Sequence, residues 1–268
     1  MRFNETVFYT DLDGTLLVGH EYVSEADIKN IREYMANGGL FGIATGRTVH
    51  TTLPFIETLK PNMPSVLYNG GVVYDNETKE IVFARYLPEI AREIIKDVYS
   101  KFPDTAPEIF TFSGQYCLHL NEIELWHQKT VNSEFELIES ADSITEPWCK
   151  MMFTDTEENI NLISEYMKKY SGCGIRSVRS NPNFYEILPE NVSKAEGFKK
   201  ALEHLNLEGR KIASAGDYDN DIEMLVASDI SFCPANSQDI VKEKADYILK
   251  ASCNEDAISE ALEILSKI

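Results

Sequence analysis

The segment Asp11-Leu12-Asp13-Gly14-Thr15 follows a compact apolar run, residues 6–10, that reads as a buried strand. Side chains alternate along extended backbone, so carboxylates two residues apart can leave the strand end on one side, toward a single pocket. Gly14 lets the chain turn away sharply. A second acidic set, Gly216-Asp217-Tyr218-Asp219-Asn220-Asp221, follows another apolar run that ends at Ala215. Its Asp217-x-Asp219-x-Asp221 spacing could open an EF-hand calcium loop. That loop needs Gly at its sixth position and Glu at its twelfth, where this chain has Ile222 and Ser228. Two readings remain: a solvated turn, or oxygen ligands for a hard cation.

Other strand ends carry complementary groups. Thr45-Gly46-Arg47 offers a hydroxyl and free backbone amides at the opening of a helix, where the helix dipole favours an anion; the competing reading is a turn with an N-cap. Taken singly, Asn69-Gly70-Gly71 is a turn, and Lys194, just after Val192-Ser193, is a surface lysine at a helix start. Their company changes that. Asp11, Asp13, Asp217 and Asp221 brought to one edge would repel one another and any phosphate unless cations offset them. A magnesium ion and the Lys194 ammonium would bring such a pocket near neutrality before a phosphate dianion arrived. A carboxylate nucleophile, a second carboxyl, a hydroxyl, a lysine and a metal site suit phosphoryl transfer, where catalysis is mostly alignment and charge stabilisation.

For these groups to meet, both ends of the chain must contribute strands to one sheet. Ser24 caps a helix in which Ile28, Ile31 and Met35 recur at helical spacing, ended by Gly38-Gly39. Residues 40–44 read as a strand, 48–59 as a helix and 65–68 as a third strand, which predicts a parallel sheet with right-handed crossovers. From about Phe83 the texture changes to helices at 88–101 and 157–170 and to antiparallel strands, with a hairpin around Ser113-Gly114 and strands near 148–153, 175–178 and 184–188. After Pro189 the alternation returns: helix 194–205, strand 211–215, helix 221–226, strand 230–233, helix 238–244, strand 247–249 and helix 255–268. The fold class is therefore α/β, a core of residues 1–82 and 188–268 with an inserted α+β domain at 83–187. In an open α/β sheet, ligands bind beyond the carboxyl ends of the strands.

Composition bounds the partners. The 268 residues carry 44 acidic against 25 basic side chains, a formal net charge of −19, which disfavours nucleic acid and anionic membranes because affinity for both rests on cations. Length and apolar content suit a globular chain with a real core. Cys117, Cys149, Cys173, Cys233 and Cys253 are widely spaced; nothing in that spacing suggests a disulfide scaffold or a zinc site, and they read as small packing residues. The opening MRFNETVFYTDLDG has no long apolar stretch, so no signal peptide or anchor is expected, and the expected location is the cytoplasm. None of His20, His50, His119, His127 or His204 shows ligand spacing, and Trp126, Trp148 and the 13 tyrosines suggest no role.

The motifs resemble those of the haloacid dehalogenase superfamily of phosphatases, in the Cof-type branch with a class IIB cap. The matching residues are DLDGT at 11–15, Thr45-Gly46-Arg47, Asn69-Gly70-Gly71, Val192-Ser193-Lys194, GDYDND at 216–221 and Ala245-Asp246-Tyr247. The resemblance spans the chain, in the inserted domain only through layout and the stretch FYEILPENVSK. It implies a Rossmann-like core, a cap that sets substrate specificity, and magnesium dependence. Asp11 would attack phosphorus and form an aspartyl phosphate. Asp13, its pKa raised by acidic neighbours, would serve as general acid and then base, with Thr45 and Lys194 holding phosphoryl oxygens. Leu12, Gly46, Arg47, Asn69 and Asn220 would bind phosphate or substrate, and Lys150, Arg176 and Arg179 are further candidates for the leaving group or a second anion. Magnesium would take the Asp11 carboxylate, the Asp13 backbone carbonyl and Asp217, with Asp221 as ligand or support. One departure stands at 233–237, where Cys-Pro-Ala-Asn-Ser replaces a Gly- and Ala-rich run; Asn236 matches, and Pro234 alters a loop beside the site. The expected substrate is a small phosphorylated metabolite, a sugar or polyol phosphate first, then flavin or pyridoxal phosphates. A phosphomutase of the same superfamily and a non-catalytic phospho-acceptor domain are the alternatives.

Overall fold

The computed structural model describes residues 5–268; the reading of the N-terminus as free of a signal or anchor rests in part on residues 1–4, which lie outside the described residues. Among the described residues no helix is long and apolar enough to cross a membrane. The chain forms two compact units, one of residues up to Phe83 together with Ser193–Ile268, the other Ala84–Val192. The second unit thus extends past the expected end at 187. Backbone bonds hold the extra residues: Glu190 N donates to Gly174 O at 2.9 Å, and Val192 N to Pro189 O at 3.3 Å.

In the first unit a parallel sheet runs in the order Tyr247–Ile248, Ile230–Cys233, Lys211–Ala215, Thr6–Thr10, Leu40–Ile43. Thr6–Thr10 is central and buried at every residue, which is why it is apolar without alternation. Its alternate side chains serve opposite faces: Phe8 stacks on Phe41 and Phe232, while Tyr9 stacks on Phe198 of the Lys194–Leu205 helix. Hydroxyl caps start the flanking helices, Ser24 for Glu25–Ala36, Thr48 for Val49–Leu59 and Ser193 for Lys194–Leu205, each accepting a backbone amide three residues on.

Ser65–Leu67 meets the parallel sheet as expected, in parallel, but through a single bridge, Ala44 to Val66, and its ladder is an antiparallel one with Val72–Tyr74. The chain reverses at once after Leu67, because Tyr68, Asn69 and Gly70 all take positive φ (51°, 55° and 97°).

The second unit is a six-stranded sheet ordered Glu136–Leu137, Gln115–Cys117, Ala106–Phe110, Lys150–Thr154, Phe184–Pro189, Ile175–Asn181, antiparallel except at the Glu136–Leu137 edge. Ile109, Met151, Phe153 and Ile187 point to one face and form an apolar core with Ile94, Ile95, Ile160 and Ile163 of the helices Ile90–Lys101 and Glu157–Met167. Register places Glu108, Met152 and Glu186 side by side on the other face. A further helix, Glu122–Val131, has no counterpart in the sequence reading. It buries Glu124 and Gln128 while Leu125 and Trp126 are each 52% exposed, so no apolar stripe announces it. Cys117, Cys149 and Cys233 are buried, Cys253 is half-buried, and Cys173, unlike a packing residue, is exposed.

Candidate active site

Thr10 and Ala215 are register partners in neighbouring parallel strands, so the residues that follow them leave the sheet at one level. Asp11 N donates to Ala215 O at 3.0 Å, and Asp217 lies two residues beyond Ala215. Between them comes Lys194, the first residue of its helix and fully buried, with Nζ 2.7 Å from Asp11 Oδ1 and 2.6 Å from Asp221 Oδ1. Asp221 Oδ2 accepts from Asp217 N at 2.9 Å and Tyr218 N at 3.1 Å, so Asp221 shapes the loop that presents Asp217. Asp217 Oδ1 accepts from the Thr15 hydroxyl at 2.8 Å. Gly14 has φ +75°, and a Cβ there would fall 2.4 Å from Asp217 Oδ2, so only glycine lets the first motif lie against the second.

Carboxylate oxygens of Asp11, Asp217 and Asp221 lie within 4.8 Å of one another. Burial pushes the Asp11 carboxyl up to about 7; Lys194 pulls it down, while Asp221 and Asp13 push it further up. Burial, then Asp221 and Asp11, carries Asp217 well above the usual carboxylate range. Burial disfavours the charged Lys194, but Asp11 and Asp221 overcome it and hold its ammonium above the ordinary lysine value. Three carboxylates against one ammonium leave two uncompensated charges when all are ionised, and every donor is oxygen. The set therefore fits a hard divalent cation.

Asp13 behaves contrary to the expectation of a raised pKa. Burial works upward, but Arg47 and His20 overcome it and hold the carboxyl below its usual range. Arg47 Nε lies 2.7 Å from Oδ2 and Nη2 2.6 Å from Oδ1, while His20 Nδ1 lies 3.0 Å from Oδ1. Arg47, expected at the phosphate or leaving group, is thus committed to Asp13, with its guanidinium also over the Phe55 ring at 5.1 Å. His20, to which spacing gave no role, enters from the turn between Leu17–Val18 and Tyr22–Val23. No sequence interval marks that contact.

The expected anion loop is more engaged than free amides would be. Thr45 N donates to Val66 O at 2.8 Å and Arg47 N to Thr45 Oγ1 at 3.2 Å, and the helix itself begins at Val49. Asn69 N returns to Thr45 O at 3.0 Å, and Asn220 Nδ2 donates to Asn69 Oδ1 at 3.0 Å. A Cβ at Gly46 would meet Asn69 Oδ1 at 3.0 Å. Thr45, Gly46, Asn69 and Asn220 therefore form one knot, in which Asn220 orients Asn69. Leu12 buries its side chain, and its carbonyl accepts from Leu16 N and Leu17 N. Asn236 ties the last loop to the first, donating to Gly14 O at 2.8 Å, and Pro234 O closes that loop by accepting Ser237 N at 3.1 Å. The candidates in the other unit are held within it. Lys150 is buried against Glu186 at 2.5 Å, and Arg179 is bonded to Asn161 Oδ1 at 2.8 Å and Pro182 O at 2.5 Å.

The sequence profile of the haloacid dehalogenase-like hydrolases matches residues 8–262. The chain belongs to this family. Among its relatives is the 5-amino-6-(5-phospho-D-ribitylamino)uracil phosphatase YcsE of Bacillus subtilis, 28% identical over 254 residues, 94% of this chain and 92% of that protein. The chloroplastic endoribonuclease YBEY of Arabidopsis thaliana is 26% identical over 269 residues; the match takes in 95% of this chain and 45% of that longer protein. A solved haloacid dehalogenase subclass IIB sugar phosphatase has the same fold, with a TM-score of 0.84 at 20% identity over 98% of this chain and all of that one. The likeness to a subclass IIB member covers both the Rossmann-like core and the inserted cap.

Proposed function

We propose that this haloacid dehalogenase-like hydrolase is a cytoplasmic, magnesium-dependent phosphatase of small phosphorylated metabolites, working through an aspartyl phosphate on Asp11. The observation that carries this reading is the Lys194 bridge from Asp11 to Asp221, with Asp217 beside both and all three carboxylates within reach of one ion. Asp11 and Asp217, with the Asp13 carbonyl, would hold magnesium, which supplies positive charge against the phosphoryl oxygens.

An Asp11 oxygen attacks phosphorus while the ester P–O bond breaks, and a protonated Asp13 gives its proton to the departing alkoxide. Asp13, now a carboxylate, takes a proton from water as that water attacks phosphorus. The Asp11–phosphorus bond breaks, returning both carboxyls and releasing inorganic phosphate. Lys194 holds Asp11 in line, and Thr45, Gly46 and the Leu12 amide hold phosphoryl oxygens. For this step Asp13 must exchange Arg47 for the leaving group. The cap is expected to set specificity.

A sugar or polyol phosphate is the first choice of substrate, supported by the names of two similar proteins, one acting on a phosphoribityl compound and one a sugar phosphatase. The test is phosphate release from a panel of phosphorylated metabolites and p-nitrophenyl phosphate, with and without magnesium. Asp11→Asn should abolish it; retention of most activity removes the nucleophile assignment. Return of phosphate to a sugar would mark a phosphomutase. A persistent phosphoprotein releasing no phosphate would mark a phospho-acceptor.

A further inference from the structure

The second unit buries a polar cluster that phosphate chemistry does not use. Glu108 comes from the Ala106–Phe110 strand, Glu124 and His127 from the Glu122–Val131 helix, and both glutamates are fully buried. One ligand atom from each of the three lies within 4.8 Å of the others. Glu-x-x-His spacing on a helix puts both side chains on one face.

Glu124 Oε2, His127 Nδ1 and the side-chain oxygen Oε1 of Gln128 are buried and make no hydrogen bond among the described residues. His127 Nδ1 stands at ion-pair distance from both carboxylates, 3.5 Å from Glu124 Oε2 and 3.9 Å from Glu108 Oε1, with a hydrogen bond to neither. Unsatisfied buried groups of this kind are costly and call for a missing partner. The surroundings hold the donors in place. Gln115 Nε2 and Gln128 Nε2 donate to Glu108 Oε2 at 2.5 Å and 3.0 Å, and the Phe184 ring packs on the His127 ring with centroids 4.5 Å apart. Lys150, a cation on this face of the sheet, is paired with Glu186. The helix turns Glu124 and Gln128 inward while leaving Leu125 and Trp126 outside, an arrangement that apolar burial alone would reverse.

We propose that the second unit binds a divalent transition-metal ion of the zinc class through Glu108, Glu124 and His127. Two carboxylates neutralise the ion, and the imidazole nitrogen selects zinc-like metals over magnesium. Bound there, the ion pins the Glu122–Val131 helix to the sheet.

The test uses the full chain, stripped with chelator and titrated with cobalt(II), the visible probe for zinc, in excess magnesium. A single tight equivalent with d–d bands, displaced by zinc, is expected. It should survive Asp217→Asn, which disables the other acidic set, and disappear in His127→Gln and Glu124→Gln. The thermal midpoint should rise with zinc concentration in the wild type and not in those two variants. Zinc K-edge absorption of the wild type, which needs no variant to fold, should show a nitrogen donor among oxygens. No tight uptake, uptake that survives His127→Gln in a folded protein, uptake lost in Asp217→Asn, or an all-oxygen shell would each overturn the site. None of these results bears on phosphate release by the Asp11 set.

Discussion

Arg47 grips Asp13 with both arms of its fork, Nε 2.7 Å from Oδ2 and Nη2 2.6 Å from Oδ1. A carboxylate held this way is an acceptor only, whereas the proposed reaction needs it as a proton donor. Removing the guanidinium should let the Asp13 carboxyl rise toward its ordinary range. In Arg47→Ala the alkaline limb of kcat/KM should therefore move to higher pH for an alkyl phosphate. Hydrolysis of p-nitrophenyl phosphate, whose leaving group needs no proton, should keep its profile. Equal shifts for both substrates would instead assign Arg47 to phosphate binding.

His20 completes that clamp, and its pKa is raised chiefly by its hydrogen bond to Asp13 against the opposing effect of burial. The sign follows from linkage: the pair's stability is fully present below the unfolded histidine value of about 6.5 and is lost as pH rises through the higher folded value. In protein freed of divalent ions, the His20 imidazole should titrate by NMR above an ordinary histidine. Asp13→Asn should bring it down. A titration indifferent to that substitution would mean the contact does not form in solution.

Lys194 is buried between two carboxylates, so its removal should be felt in folding as well as in activity. Breaking one partner out of a buried ionic network costs about 3–5 kcal/mol, because uncompensated charge is left inside. Lys194→Met should lose activity and about that much stability in urea titrations at neutral pH. The deficit should shrink toward acid pH as Asp11, whose carboxyl burial already pushes up, takes up a proton, and Asp221→Asn on the same background should recover part of it. A loss under about 1 kcal/mol would show that water, not Lys194, compensates these acids.

The sequence makes legible what lies at strand ends. Asp11, Asp13 and Asp217 announce themselves because parallel strands in register must deliver the residues that follow them to one edge, and Lys194 because a capped helix starts there. Lateral contacts leave no such mark. Nothing in the interval between Asp13 and His20, or between Asp13 and Arg47, says that the three meet, and the Asp13 expectation fails for that reason. Ser65–Leu67 reads as a strand because its apolar content is right; the reversal after it, which gives it an antiparallel partner, depends on left-handed residues, of which only Gly70 is a signal. Glu122–Val131 goes unseen because its buried face is polar, and with it goes the Glu124–His127 spacing.

Gly14 offers a test of how the first motif places the metal set. Both Gly14 and Gly19 take positive φ, +75° and +57°, so alanine strains the backbone at each. Only at Gly14 does the new Cβ collide, 2.4 Å from Asp217 Oδ2; at Gly19 it meets nothing within 4 Å. Strain is thus common to the two variants and displacement of Asp217 is peculiar to one. Gly14→Ala should raise the magnesium concentration needed for half-activation by about 10–100-fold, the range seen when a ligand's supporting contacts are disturbed. Gly19→Ala should leave it near the wild-type value while losing similar thermal stability. Equal magnesium requirements in the two variants would show that Asp217 keeps its place without Gly14, and that the first motif positions the nucleophile alone.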